Sequence, residues 1–352
     1  MDLENAGRFN EIDREDMYGQ IHTLPEQLEK AWKTGHEMPL PKNDGLSAVV
    51  ITGMGGSAIG ADLVAAYVSP QASIPVTVVR EYDLPGWVKG PGVLVIASSH
   101  SGNTEETLSV FHQAKDRGCR LMTLSTGGKL KQLAMEAGAS AWTFDHKGQP
   151  RAAVGYSFGL MLCALARLGV IADPAEALSD AVTAMKAQQT RLARECAVHL
   201  NSAKRMAGQL HGRWVLVMSS DYLAPVARRW KGQVNEIAKA WAQYDELPEA
   251  DHNTLNGIFN PEDLLAKMAV LFLRSSSDHP RNRLRTELTR RTMMVQGIAT
   301  DIIEASGDSP LAHMWTALHF GDYMTYYLAM LYEVDPTPIT VMVEFKKALS
   351  LM

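Results

Sequence analysis

The sequence predicts an α/β protein of two doubly wound parallel-sheet domains with helical N-terminal and C-terminal extensions. Three observations carry that expectation. Short β-branched apolar runs alternate with helical stretches between about residues 47 and 145, a pattern that implies parallel strands covered on both faces. The same alternation resumes after Gly212. A faint internal repeat also sets the strand–loop–helix around Gly53 against that around Ser219, and the Ser99–Thr104 loop against Arg274–His279. The expected division is 1–152 as a first domain bearing the phosphate-type loops, 153–210 as a helical connection, and 211–352 as a second domain with a terminal helix.

The elements follow in order. Residues 14–34 read as an amphipathic helix that ends near Gly35 and the Pro39/Pro41 pair. Apolar runs at 47–52, 74–79, 93–98, 120–124 and 140–144 read as strands, and a helix begins at about Ile59 after the glycine-rich turn from Gly53. Residues 155–170 and 174–208 read as helices, the second long and cationic on its exposed side. Beyond Gly212 come a strand at 214–218, a helix at 224–244, a strand at 269–273, a helix at 281–294 and a strand at 298–303. Helical periodicity returns over 311–332, and a last helix follows Asp335-Pro-Thr-Pro338.

Composition limits the function. A chain of 352 residues with 46% hydrophobic and 21% charged residues suits a globular protein with two ordinary cores. A net charge of −5 argues against general affinity for nucleic acid or anionic membrane. Cys119, Cys163 and Cys196 are odd in number and widely spaced, so neither a disulfide framework nor a metal cluster is expected, and a cytoplasmic location is. The N-terminus lacks a signal-peptide pattern. The longest apolar stretch, 159–172, carries Arg167 and is too short to span a bilayer.

Two loops carry chemistry. Val93–Ser98 breaks into Ser99-His-Ser-Gly-Asn-Thr104 and then a helix start. The first turn of such a helix offers unpaired N–H groups and the positive end of its dipole to an anion. Ser99, Ser101 and Thr104 add hydroxyl donors, and Gly102 lets the backbone come close. With no Lys or Arg in the loop, neutral donors would hold a phosphorylated small molecule. Gly53-Met-Gly-Gly-Ser-Ala-Ile-Gly60 is a second glycine-rich turn. It fits a dinucleotide fingerprint only loosely, since Ala58 takes the last glycine's place and Arg80-Glu81 stands where a ribose-binding acid belongs. A plain packing turn also fits. A Walker-type loop does not, as no Gly-Lys-Ser/Thr follows.

These motifs resemble the sugar isomerase (SIS) domain superfamily, and more narrowly the bifunctional phosphoglucose/phosphomannose isomerase family. Beside the two loops, the resemblance rests on Arg151, Gln233-Val-Asn-Glu-Ile-Ala-Lys239, Asp251-His-Asn253 and the Asp335–Pro338 segment before a lysine-bearing helix. It runs from about residue 45 to the C-terminus. It implies two SIS-type domains, hexose 6-phosphate substrates and no metal or other cofactor. Gly55, Gly56, Ser57, Ser99, Ser101 and Thr104 are then the phosphate binders.

An aldose–ketose isomerase needs a carboxylate base, a ring-opening group and positive charge near the developing oxyanion. By spacing alone Glu236 could be a solvated helix residue paired with lysine; the resemblance makes it the base. His252 could be a surface or capping histidine. The resemblance makes it the ring-opening acid/base, donated to the partner's site in a homodimer. Arg151 matches the arginine that neutralises the enediolate. Thr340 and Lys347 lie seven residues apart, two turns along one helix face, and match a polar residue and an active-site lysine, with Lys346 the competitor.

His100, His112, His146, His313 and His319 are scattered with no metal-ligand spacing. Two positions depart from the family: His100 where tyrosine is frequent, and Ile237 where asparagine commonly follows the base. The competing readings are a non-catalytic phosphosugar-binding regulator, or another SIS-type isomerase or lyase.

Overall fold

The computed structural model describes residues 2–349 and 351. β1 (Ala48–Thr52), β2 (Val76–Val79), β3 (Val93–Ser98), β4 (Arg120–Ser125) and β5 (Ser140–Thr143) form a parallel sheet in the order β2-β1-β3-β4-β5. β6 (Trp214–Ser220), β7 (Ala242–Leu247), β8 (Met268–Arg274) and β9 (Ala299–Glu304) form a second, in the order β7-β6-β8-β9. The second sheet therefore repeats the order of the first four strands. The winding reverses between β1 and β3, and again between β6 and β8. Open parallel sheets bind ligands at such reversals, beyond the carboxyl ends of the strands. Thr52 pairs with Ala97, which sets the Gly53 and Ser99 loops side by side.

Three expected helices differ from the structure, each for a local reason. The stretch 14–34 is divided among helices Met17–His22 and Leu24–Glu37, preceded by Ala6–Ile12. Asp13 accepts the Met17 and Tyr18 N–H groups at 2.8 and 2.9 Å, and Pro25 sits in the first turn of the next helix, so each helix is started afresh. The long helix at 174–208 is two, Ala175–Leu192 and Ser202–Leu210. Asn201 caps the second through the Ala203 and Lys204 N–H groups, both at 3.1 Å. The buried Lys204 ammonium donates to the carbonyls of Leu3, Arg194 and Cys196. The helix at 224–244 stops at Glu236, and its expected last turn is instead the edge strand β7.

A single apolar cluster runs from the first sheet to the second. Helix Val154–Arg167 packs on Leu24–Glu37 and Gly55–Val68, while Pro310–Leu331 packs on Ala175–Leu192, Ser202–Leu210 and Ala224–Glu236. Phe158 meets Trp315 edge-on at 5.1 Å, joining the two groups of helices. Pro310–Leu331 is buried nearly all round, as expected of a helix at the centre of a large core. No helix among the described residues is long and apolar enough to cross a membrane.

Candidate active site

The crevice between the two sheets is built from the ends of four elements. Helix Gly55–Val68 begins directly after the β1 turn, and its N-cap residue, Met54, makes no side-chain cap. Helix Glu105–Asp116 follows the β3 loop, and Thr104 at its N-cap likewise caps no helix N–H. Two helix N-termini thus approach the reversal point without side-chain caps, an arrangement that suits an anion. Gly56 is obligatory here: a Cβ would lie 2.7 Å from the carbonyl carbon and oxygen of Pro150. Gly102, at φ +67°, would drive a side chain into the Gly127 carbonyl.

Two of the three hydroxyls of the β3 loop are tied to each other. Ser99 is buried, and its Oγ pairs with Thr104 Oγ1 at 2.8 Å while accepting the Gly102 N–H at 3.1 Å. Ser101 is exposed and accepts the Asn103 N–H. Ser57 is buried at the start of its helix, and its Oγ accepts the His100 N–H at 3.0 Å, joining the two loops. His100 and His146 face each other at 2.9 Å. Burial and the neighbouring His146 hold the His100 imidazolium down to about 4; burial also lowers His146.

The loop after β8 is closed differently. Asp278 Oδ2 accepts the Ser275 N–H at 2.7 Å, and Asp221 accepts from His279 N–H and the Asn282 amide. Burial pushes the Asp278 carboxyl up to about 6. Asp278 Oδ1 is buried with no hydrogen-bond partner.

A hollow of about 460 Å³ opens beside Gly55 and Gly56, and Arg151, Glu236 and Tyr244 also line it. Arg151, in the turn Pro150–Ala152, is 3% exposed and lies 3.5 Å from the Glu236 carboxylate. Its Nη2 donates to the carbonyls of Pro336 and Thr337 at 2.9 and 2.7 Å. Burial lowers its pKa, and Glu236 opposes that. Glu236 ends its helix, half-buried, between this hollow and a second of about 940 Å³ that Lys239, Trp241 and Thr340 also line.

Gly55, Gly56, Arg151 and Glu236 are therefore brought together, and Thr340 lies in the adjoining hollow. Lys347 sits on the exposed last turn of helix Thr340–Leu349, and His252 is exposed in the turn Glu249–His252; neither lines these hollows.

Several cations were not anticipated. Arg80, closing β2, forks onto Asp62, which also accepts Arg228 Nη1 at 2.8 Å; Arg228 Nε donates to Tyr244 at 2.8 Å. Arg229, fully inside, forks onto Asp322 at 3.1 and 2.6 Å and donates to the Arg151 carbonyl at 3.0 Å. Gln233 also donates to Asp322. Both bridges join distant segments, which linear spacing does not reveal; only the Gln233–Lys239 run was a visible signal. Among the described residues, no group of three or more His, Cys, Asp or Glu is gathered as a metal site requires.

The duplicated α/β fold is also that of a hypothetical protein from Thermus thermophilus, at TM-score 0.73 and 19% identity over 95% of this chain and 89% of that one. The family described as bacterial phospho-glucose isomerase C-terminal SIS domain matches residues 199–349. The bifunctional phosphoglucose/phosphomannose isomerase of Caldicellulosiruptor bescii is 37% identical over 327 residues, 92% of this chain and 96% of the relative. That of Aquifex aeolicus is 34% identical over 303 residues, 86% and 90% of the two. This chain belongs to the bifunctional phosphoglucose/phosphomannose isomerase family.

Proposed function

We propose that this chain interconverts glucose 6-phosphate and fructose 6-phosphate, and mannose 6-phosphate with fructose 6-phosphate, through a cis-enediol. The observation that carries the reading is the meeting of Arg151 and Glu236 at 3.5 Å beside Gly55 and Gly56. Residues 1–152 would anchor the substrate, 153–210 connect, and 211–352 supply the base.

The phosphate is held by the N–H groups of Gly55 and Gly56 with the hydroxyls of Ser57, Ser99, Ser101 and Thr104. Glu236 removes the C2 proton of the aldose and returns it to C1. Arg151 stands where negative charge grows on the enediolate oxygens. Its tether to Pro336 and Thr337 fixes the guanidinium before substrate arrives.

His252 opens the sugar ring from the partner subunit of a homodimer, an acid–base step that suits an imidazole. Its exposure in its own chain supports that reading. So do the exposed Val341, Val343 and Phe345 on the terminal helix, which would otherwise present apolar side chains to water. Thr340 leaves room at C2 for either epimer, and Lys347 reaches substrate oxygens when the terminal helix is seated in the dimer. The three free thiols suit a reducing cytoplasm.

The test is a coupled assay of all three hexose 6-phosphates with chelator present, in the wild type and Glu236→Gln. Turnover of all three by the wild type, lost in the variant, is the expected result. Activity abolished by chelator and restored by zinc would overturn the metal-free route.

A further inference from the structure

The helix that carries Glu236 ends in an unusual way. Lys239 adopts φ +53°, the left-handed region that usually falls to glycine or asparagine after a helix. A lysine there is strained, because its Cβ crowds the backbone. Its side chain supplies the reason. Lys239 Nζ donates to the Glu236 carbonyl, one of the last acceptors of the helix, and to Pro336 O at 3.4 Å. Pro336 O is the same atom that Arg151 holds from the other side.

We infer that Lys239 is a positioning residue that staples the end of the base-bearing helix to the Pro336–Thr337 strap, fixing Glu236, Arg151 and the root of the terminal helix relative to one another. The inference rests on the isomerase reading for its kinetic consequence but not for its structural one. The strap is buried at Pro336 and Thr337 and leads three residues later into helix Thr340–Leu349. Nothing inside that helix is buried, and the strap is the buried segment from which it departs.

The charges facing the ammonium are Arg151 from the first half, Asp335 from the strap and Glu236 from its own helix. Partial burial, and then Arg151, bring its pKa down to about 8. As pH rises through that value the amine keeps N–H donors but loses the charge that strengthens both bonds.

The test compares Lys239→Met, Lys239→Arg and Lys239→Gly in the full-length protein. Lys239→Gly fits the left-handed backbone without strain, so it separates folding from positioning. Amide hydrogen exchange over residues 339–345, measured without substrate, should quicken in the Met and Gly variants and stay close to wild type in Arg. With fructose 6-phosphate, both should lose about tenfold or more in kcat, as small misplacements do, with KM changed by no more than about threefold. The alkaline limb of kcat should move upward in Lys239→Arg, because a guanidinium keeps its charge. Unchanged exchange in Lys239→Gly overturns the staple even if the enzyme proves inactive on hexose phosphates. Quickened exchange with wild-type kcat overturns its role in catalysis.

Discussion

Replacing Gly56 by alanine tests the proposed site through its backbone. The new Cβ would fall 2.7 Å from the carbonyl carbon and oxygen of Pro150 and 2.8 Å from the Arg151 nitrogen. Ordinary heavy-atom contacts begin near about 3.5 Å, so one backbone must retreat by roughly 0.8 Å. No flexible side-chain tip is available to yield, because the obstructing atoms are all main chain. The Pro150–Arg151 peptide carries the guanidinium that faces Glu236 at 3.5 Å, and the same turn accepts Arg229 through the Arg151 carbonyl. A shift of this size should cost about 1–3 kcal/mol of stability, as overpacking does, and lower kcat/KM by up to about 100-fold through misplacement. Thermal unfolding and the coupled isomerase assay measure the two effects. Gly208→Ala is the control: its site is open and lies within helix Ser202–Leu210, so it should gain up to about 1 kcal/mol with unchanged kinetics. Gly56→Ala with wild-type melting temperature and kcat/KM within twofold would refute the reasoning.

Other outcomes follow from the same geometry. In Glu236→Gln, exchange of the fructose 6-phosphate proton with solvent should fall by about 10²–10⁴ while binding persists; retained exchange would remove Glu236 as the base. Mixing and refolding inactive Glu236→Gln with inactive His252→Ala should recover about a quarter of wild-type activity if each site of a two-fold dimer borrows the partner's histidine, and none if it does not. Asp322→Ala leaves Arg229 buried and unpaired, which should cost about 3–5 kcal/mol in urea unfolding; a loss below 1 kcal/mol would contradict that account. Asp278 has a folded pKa of about 6, above its unfolded value. The fold favours its protonated form, so stability should decline as pH rises from about 4 to 6. Asp278→Asn should abolish that decline and gain about 2–3 kcal/mol near neutrality, whereas an unchanged slope of melting temperature with pH would point to other groups.

The central strands β1 and β3 were legible in the sequence because their β-branched runs are buried on both faces throughout. β7 was hidden for the opposite reason. It is an edge strand, Ala242-Gln-Tyr-Asp-Glu-Leu247, buried only at its two ends, so no apolar run marks it. Nor did a glycine mark the end of the preceding helix, since Lys239 takes the left-handed position. Both errors arise at one place, and the bonds made by the Lys239 side chain explain it. The helical periodicity on either side of Asn201 masked the break that its cap makes. In the site, Arg151 and Glu236 were visible through their motifs. Arg80, Arg228 and Arg229 were not, because Asp62 and Asp322 reach them only once helices distant in sequence are packed.

The loop after β8 has one more implication. Its amides are already occupied by carboxylates of its own chain, Asp278 and Asp221. A duplicated fold with two equivalent anion cradles would let an elongated phosphosugar enter in either sense, and half of those entries would carry the wrong carbons to the base. By filling one cradle from within, the protein gives the crevice a polarity. On the proposed reading the phosphate would have a single berth, and the reactive end would arrive from one direction.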